Sequence, residues 1–258
     1  MLKIFVFAVF LFTSMLLVAQ EVKVPAESKQ FIPAGFEPLD YVTGDLNTDK
    51  RPDAVLVLKQ AGEDTIDTDL APVRPLIVLI RQANGKLLQV IRNDKAILCR
   101  QCGGVFGDPY NGIIISAKGF TLSFYGGSNW RWGYDYLFAY KPLKKDWFLV
   151  KESQSSYHTA NPEKISTVTI GEAELGAIPI GQFAGEDESP ATQWKVKAAK
   201  TFFYDSPAAG SKPRKGYLLK GNTVSGIRVL TNFVLVTYID AKENITQGYV
   251  LKKDLEML

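Results

Sequence analysis

Short apolar runs broken by turn residues recur from residue 54 to residue 251, with no long amphipathic helix between them. That spacing confines the chain to a mostly β fold. In the first half the runs fall at 54–59 (AVLVLK), 75–81 (PLIVLIR), 87–92 (LLQVIR), 112–116 (GIIIS), 120–125 (FTLSFY), 134–140 and 146–151. Asn84-Gly85 predicts a tight hairpin with positive φ at both turn positions. Lys118-Gly119 and residues 142–145 supply two further turns. Residues 20–40 carry few periodic signals beyond a short helix expected over 27–32 and stopped by Pro33. Residues 153–193 are polar, with one β-like run at 165–170 and an acidic stretch, GEDESP, at 185–190. Strand-like runs then resume at 194–203, 217–219, 223–230, 233–239 and 248–251. Five short strands in about 65 residues predict a small barrel.

The first residues point to export. Lys3 precedes an apolar stretch, residues 4–18, broken only by Thr13 and Ser14, and Ala19 closes it before charge returns at Glu21 and Lys23. This is the layout of a secretory signal peptide. The stretch is shorter than the roughly 20 apolar residues of a membrane helix. No cysteine follows for lipid attachment, and no later segment is apolar enough to span a bilayer. The expected organisation is a signal peptide over 1–19 with cleavage near Ala19, a β-rich domain over 20–185, a linker over 186–193 and a second domain over 194–258. The mature chain is expected in the periplasm or outside the cell. Residues 20–193 carry 18 Lys/Arg against 22 Asp/Glu, and residues 194–258 carry 11 against 5. A basic terminal module suits an anionic polymer, and it equally suits attraction to the acidic first domain or solubility.

The C-terminal residues carry a resemblance. F-F-Y-D-S-P (202–207), K-G-Y-L-L-K-G-N-T-V (215–224), F-V-L-V-T-Y (233–238) and G-Y-V-L-K-K-D-L (248–255) together resemble a bacterial SH3-type domain. That family often has tryptophan at the Gly-aromatic position, which is Tyr249 here. The resemblance implies an SH3-like barrel serving as a targeting module, with peptidoglycan as a common target of such modules.

Residues 44–53, G-D-L-N-T-D-K-R-P-D, place oxygen-bearing side chains at Asp45, Asn47, Asp49 and Asp53, positions 1, 3, 5 and 9 of a calcium loop. The Arg51 carbonyl would fill position 7. Because a strand follows at once, the loop resembles the aspartate-rich loops of FG-GAP and related propeller repeats, which implies Ca²⁺ as a ligand. It departs from them at position 6, where Lys50 stands in place of glycine, and at position 12, where Leu56 stands in place of a carboxylate. An Asp/Asn-rich turn bonded to its own backbone explains the same residues without a metal.

Cys99 and Cys102 have redox spacing, but Gly103-Gly104 follows where a thioredoxin-type site needs a helix, so a disulfide-pinched turn is expected. Zinc would need more ligands than two thiols and the one histidine, His158. The stretch from G-G-V-F-G-D-P-Y (103–110) to Y-G-G-S-N-W-R-W (125–132) resembles a pattern in secreted bacterial proteins of unassigned activity. Its Tyr125, Trp130, Arg131 and Trp132 are candidates for stacking on a sugar or gripping a carboxylate. In a strand, Trp130 and Trp132 point to one side and Arg131 to the other, so the tryptophans equally suit a core.

No Ser-His-Asp or Cys-His arrangement, placed carboxylate pair or phosphate-cradling loop occurs, and the basic residues are too scattered for nucleic acid. The expectation is a binding protein of the cell envelope, not an enzyme, held to peptidoglycan or to an envelope protein. An inhibitor or immunity-type protein is the alternative, and after it a thiol-disulfide oxidoreductase using Cys99 and Cys102.

Overall fold

The continuous apolar runs at 54–59 and 75–81 become the two central strands of a sheet buried on both faces. The computed structural model describes residues 22–65, 72–185, 192–208 and 210–258. The expected signal peptide and most of the linker lie outside the described residues. Strands β1 (Phe36–Gly44), β2 (Asp53–Gln60), β3 (Leu76–Arg81) and β4 (Leu87–Asn93) form an antiparallel meander in that order. On one face Val55, Val57, Leu76, Val78 and Ile80 enter the main core. On the other, Leu56, Leu58, Ile77 and Leu79 are covered by Val24, Phe31, Ile32 and Phe36 of the first described residues. A sheet covered on both sides needs no polar alternation, which is why these runs are unbroken. The expected helix is a single turn, α1 (Ala26–Lys29).

A five-stranded meander follows: β5 (Tyr110–Ser116), β6 (Gly119–Gly127), β7 (Trp130–Lys141), β8 (Asp146–His158) and β9 (Ser166–Gly171). Its inner face sends Phe120, Leu122, Phe124, Tyr136, Phe138, Leu149 and Ile170 into the main core. Each such side chain contributes about 1.5–3 kcal/mol of burial. Its outer face carries Thr121, Ser123, Asp135, Ser153 and Ser155, the period-two alternation of a sheet wet on one side.

The C-terminal residues form a curled sheet of seven strands, β10 (Thr192–Val196), β11 (Lys200–Tyr204), β12 (Pro213–Leu219), β13 (Thr223–Val229), β14 (Phe233–Ile239), β15 (Ile245–Leu251) and β16 (Leu255–Met257), in the spatial order β12-β11-β15-β14-β13-β10-β16. It encloses its own cluster of Trp194, Val196, Phe203, Leu218, Val224, Val234, Val236, Val250 and Leu255. The run expected as one strand over 194–203 is two, because the chain turns at residues 197–199, where the Lys197 amide donates to the Asp254 carbonyl at 2.9 Å.

The seven-stranded sheet is docked on the rest of the chain. Leu230, Phe233 and Tyr249 belong to the main core, with Tyr204, Leu235 and Leu251 packed against it. Arg228 on β13 grips Glu152 on β8 through both carboxylate oxygens at 2.5 and 2.6 Å. The Thr231 amide donates to the carbonyl of Glu174 in α2 (Glu172–Leu175) at 2.9 Å. No helix among the described residues is long and apolar enough to cross a membrane.

Candidate functional site

The Asp-rich segment joins β1 to β2 as a loop closed by its own side chains. Asp45 Oδ1 accepts the amides of Asn47, Thr48 and Asp49, and its Oδ2 accepts the amide of Lys50 at 2.9 Å. Asn47 donates to Asp49 Oδ2, and Asp49 also accepts the Arg51 amide and its guanidinium. Asp53 is fully buried and brackets the loop, accepting Leu46 N–H at 3.0 Å and Arg81 N–H at 2.9 Å. One oxygen each from Asp45, Asp49 and Asp53 lies within 4.8 Å of the others. Lys50 adopts φ 65°, the left-handed backbone that glycine supplies at this position of a calcium loop. Burial raises the Asp53 pKa, two backbone N–H bonds oppose the rise, and the charges of Asp49 and Asp45 add to it. The donor set is hard oxygen and suits Ca²⁺. The internal hydrogen bonds are equally those of an Asx-rich turn.

Cys99 and Cys102 form a disulfide with Cα atoms 5.2 Å apart. The pair closes a turn before the 3₁₀ helix Gly104–Phe106 and does not head an α-helix of the kind that activates a redox thiol. The loop from residue 99 to 109 folds back onto the end of β6. Gly127 N–H donates to Gly103 O at 2.8 Å, Tyr125 N–H to Pro109 O at 2.8 Å, and Gly103 N–H to Gly107 O at 2.9 Å. A Cβ on Gly103 would lie 2.3 Å from the Gly107 oxygen, and one on Gly127, at φ +106°, 2.0 Å from the Trp130 oxygen. Gly103 and Gly127 therefore serve close backbone contact.

This packing sorts the four candidate ligand-binding residues into two pairs. Tyr125 and Arg131 lie on the outer face of the five-stranded sheet, where the Arg131 guanidinium sits 4.3 Å over the ring of Phe106 and donates to Gly127 O at 2.8 Å. The Tyr125 ring meets Phe106 edge-on at 5.2 Å, and its hydroxyl shares a 2.8 Å hydrogen bond with Tyr157. That bond raises the Tyr125 phenol pKa. Trp130 and Trp132 point to the other side. Trp130 is exposed and meets His158 edge-on. Trp132 packs against the core and lines, with Tyr134, Tyr136, Gln154 and Arg228, a cavity of about 480 Å³ beside the seven-stranded sheet.

The C-terminal sheet adds a surface that its residue types alone did not mark. Tyr217 on the edge strand β12 pairs with Phe202 on β11, and Lys200 Nζ lies 3.9 Å from the Tyr217 ring centroid and 4.9 Å from that of Phe202. Tyr217 and Leu219 are each half exposed. Both aromatics stand in the stretches that carry the SH3 resemblance. Tyr249, at the Gly-aromatic position, faces the main core, and burial pushes its phenol up to about 12. Sequence reasoning also missed Phe106, although it quoted the stretch containing it, and Tyr157. Compared with protein-family models, curated proteins and solved structures, the chain matches none.

Proposed function

We propose that this chain is an exported binding protein of the cell envelope whose C-terminal, SH3-like module attaches it to peptidoglycan. The observation that carries the reading is the Lys200, Phe202 and Tyr217 cluster, a partly exposed aromatic pair with a cation beside it on the basic part of the chain. Aromatic faces stack on the C–H face of a sugar ring, and excess positive charge draws in an anionic polymer. The export signal in residues 1–19 supplies the compartment. Because Leu230, Phe233 and Tyr249 are shared with the main core, cutting the chain at the linker would expose apolar surface, so the test uses point variants of the whole mature protein. The wild type is expected to sediment with purified peptidoglycan. Phe202→Ala/Tyr217→Ala is expected to bind roughly tenfold more weakly, the equivalent of about 1.4 kcal/mol of stacking. Equal sedimentation of both, or of neither, would remove the C-terminal sheet as the wall contact.

The proposal extends to a calcium ion held by Asp45, Asn47, Asp49, Asp53 and the Arg51 carbonyl. Binding would require the Arg51 guanidinium to leave Asp49. Affinity in the range of extracellular modules, roughly 10⁻⁴–10⁻³ M, is expected. Calcium at ten times Kd then adds about 1.4 kcal/mol, a rise of about 4 °C in Tm. Asp45→Asn should abolish the rise and Arg51→Ala should enlarge it. An unchanged Tm for the wild type would leave the loop as an Asx turn.

A further inference from the structure

We propose that the end of the five-stranded sheet formed by Phe106, Tyr125, Arg131 and Tyr157 binds the carboxylate of an acidic saccharide of the uronate class. The chain has eight arginines. Seven of them, Arg51, Arg74, Arg81, Arg92, Arg100, Arg214 and Arg228, pair with a carboxylate. Arg131 alone has no carboxylate partner among the described residues. Its guanidinium is nonetheless held in place, by Gly127 O on one nitrogen and by the Phe106 ring against its plane. Nε and the second terminal nitrogen have no hydrogen-bond partner among the described residues. Two adjacent N–H groups on a fixed plane are the fork that grips a carboxylate at two points. Fixing that fork beforehand removes part of the ordering cost of binding.

The base of the loop that supplies Phe106 serves the core, through Cys102 packed against it and Asp108 bonded to the buried Arg74, but its tip does not. The loop is closed by a disulfide and fitted to β6 where Gly103 and Gly126 leave no room for a side chain, yet its tip presents Val105 and Phe106, which are 83% and 52% exposed. What it gains is an aromatic ring beside the arginine. The hydroxyl pair of Tyr125 and Tyr157 lies on the same side, offering donors and acceptors to sugar hydroxyls. Farther along the outer face, Thr121, Ser123, Asp135 and Ser153 line a groove of about 290 Å³ together with Lys151 and the apolar Ile114 and Leu137, and in it Ser123 donates to Asp135 at 2.6 Å. The face belongs to β6, β7 and β8, whose backbone groups are paired with their neighbours, so a peptide could not add here as a strand. Hydroxyl-bearing side chains, the exposed Phe106 ring and an arginine without a carboxylate partner among the described residues favour a carboxylate-bearing sugar.

The inference is independent of the C-terminal reading, and its test keeps the two apart. The full-length mature protein is titrated calorimetrically with oligogalacturonate and with the same oligomer methyl-esterified. The acid is expected to bind at least tenfold more tightly than the ester. Arg131→Ala should lose at least tenfold toward the acid and nothing toward the ester. Arg131→Lys, which keeps the charge without the fork, should lose several-fold and covers the case in which the alanine variant folds poorly. Phe202→Ala/Tyr217→Ala should bind oligogalacturonate as the wild type does, whatever its behaviour toward peptidoglycan. Equal binding of acid and ester, no binding of either, or an Arg131→Lys variant as tight as wild type would overturn the proposal.

Discussion

Arg74→Met is expected to lower the melting temperature by roughly 10 °C or more. The Arg74 side chain is 1% exposed and Glu63 is fully buried. All five N–H groups of the guanidinium are placed: Nε and one terminal nitrogen on Glu63, and both terminal nitrogens on Asp108 at 2.8 and 2.7 Å, with Leu98 O sharing one of them. Burial works against the cation, but the hydrogen bonds it donates to Asp108 and Glu63 outweigh that cost, so the Arg74 pKa lies above the usual guanidinium value. The triad joins the turn after β2, the approach to β3 and the disulfide loop. Removing the arginine strands a fully buried carboxylate, a defect that costs about 3–5 kcal/mol. At about 2–4 °C per kcal/mol for a chain of this size, the fall follows. Asp108→Asn leaves Arg74 on Glu63 and alters a group that is 35% exposed, so it should cost less than half as much. Thermal melting of the two variants side by side checks the order. Equal losses would mean that Asp108, and not the buried Glu63, sets the energy of the triad.

Legibility in the sequence follows how local each cause is. β2, β3 and β4 were readable because apolar β-branched runs need only neighbouring residues to declare them. β1 was not, because Pro38 and two acids interrupt it, and a register shift between Pro38 and Asp40 absorbs the irregularity. The Asn84-Gly85 turn was found, but only Gly85 takes positive φ (81°), and the loop is closed from Gln82 to Lys86. β8 runs on through Ser153–His158 although those residues are polar. It is held by pairing with β7 on one side and β9 on the other, which composition cannot announce. Lys50 shows the opposite case, a residue disfavoured at positive φ that takes it because four amides converge on Asp45. The alternation rule correctly set Arg131 apart from Trp130 and Trp132. Phe106, its actual neighbour, lies 25 residues earlier in sequence, and only the glycine-fitted loop brings it there. Arg74 reaches across 11 and 34 residues to its two carboxylates, separations that carry no sequence signal.

Arg228→Ala is expected to melt in two transitions where the wild type melts in one, with the first about 10 °C below the wild-type midpoint. Glu152 is fully buried and Arg228 is 19% exposed, so the variant leaves a buried carboxylate without its cation, with the Gln154 amide still donating to it. In the wild type the hydrogen-bonded Glu152 outweighs burial and raises the Arg228 pKa. Loss of one partner of such a pair costs about 3–5 kcal/mol, which again translates to roughly 10 °C. The pair is placed between β8 and β13, so the energy is lost where the seven-stranded sheet meets the main core. That sheet retains its own enclosed cluster around Trp194, Val234 and Val250, enough to remain ordered after the contact loosens. Leu230, Phe233 and Tyr249 would then meet water, and binding of an apolar dye should rise before either part melts. Replacing both charges, Glu152→Met with Arg228→Met, should restore most of the stability, since two apolar side chains leave no stranded charge. If Arg228→Ala instead melts in one transition within about 2 °C of the wild type, the apolar contacts alone hold the sheet in place. The ion pair would then serve the orientation of the neighbouring cavity and contribute little to docking.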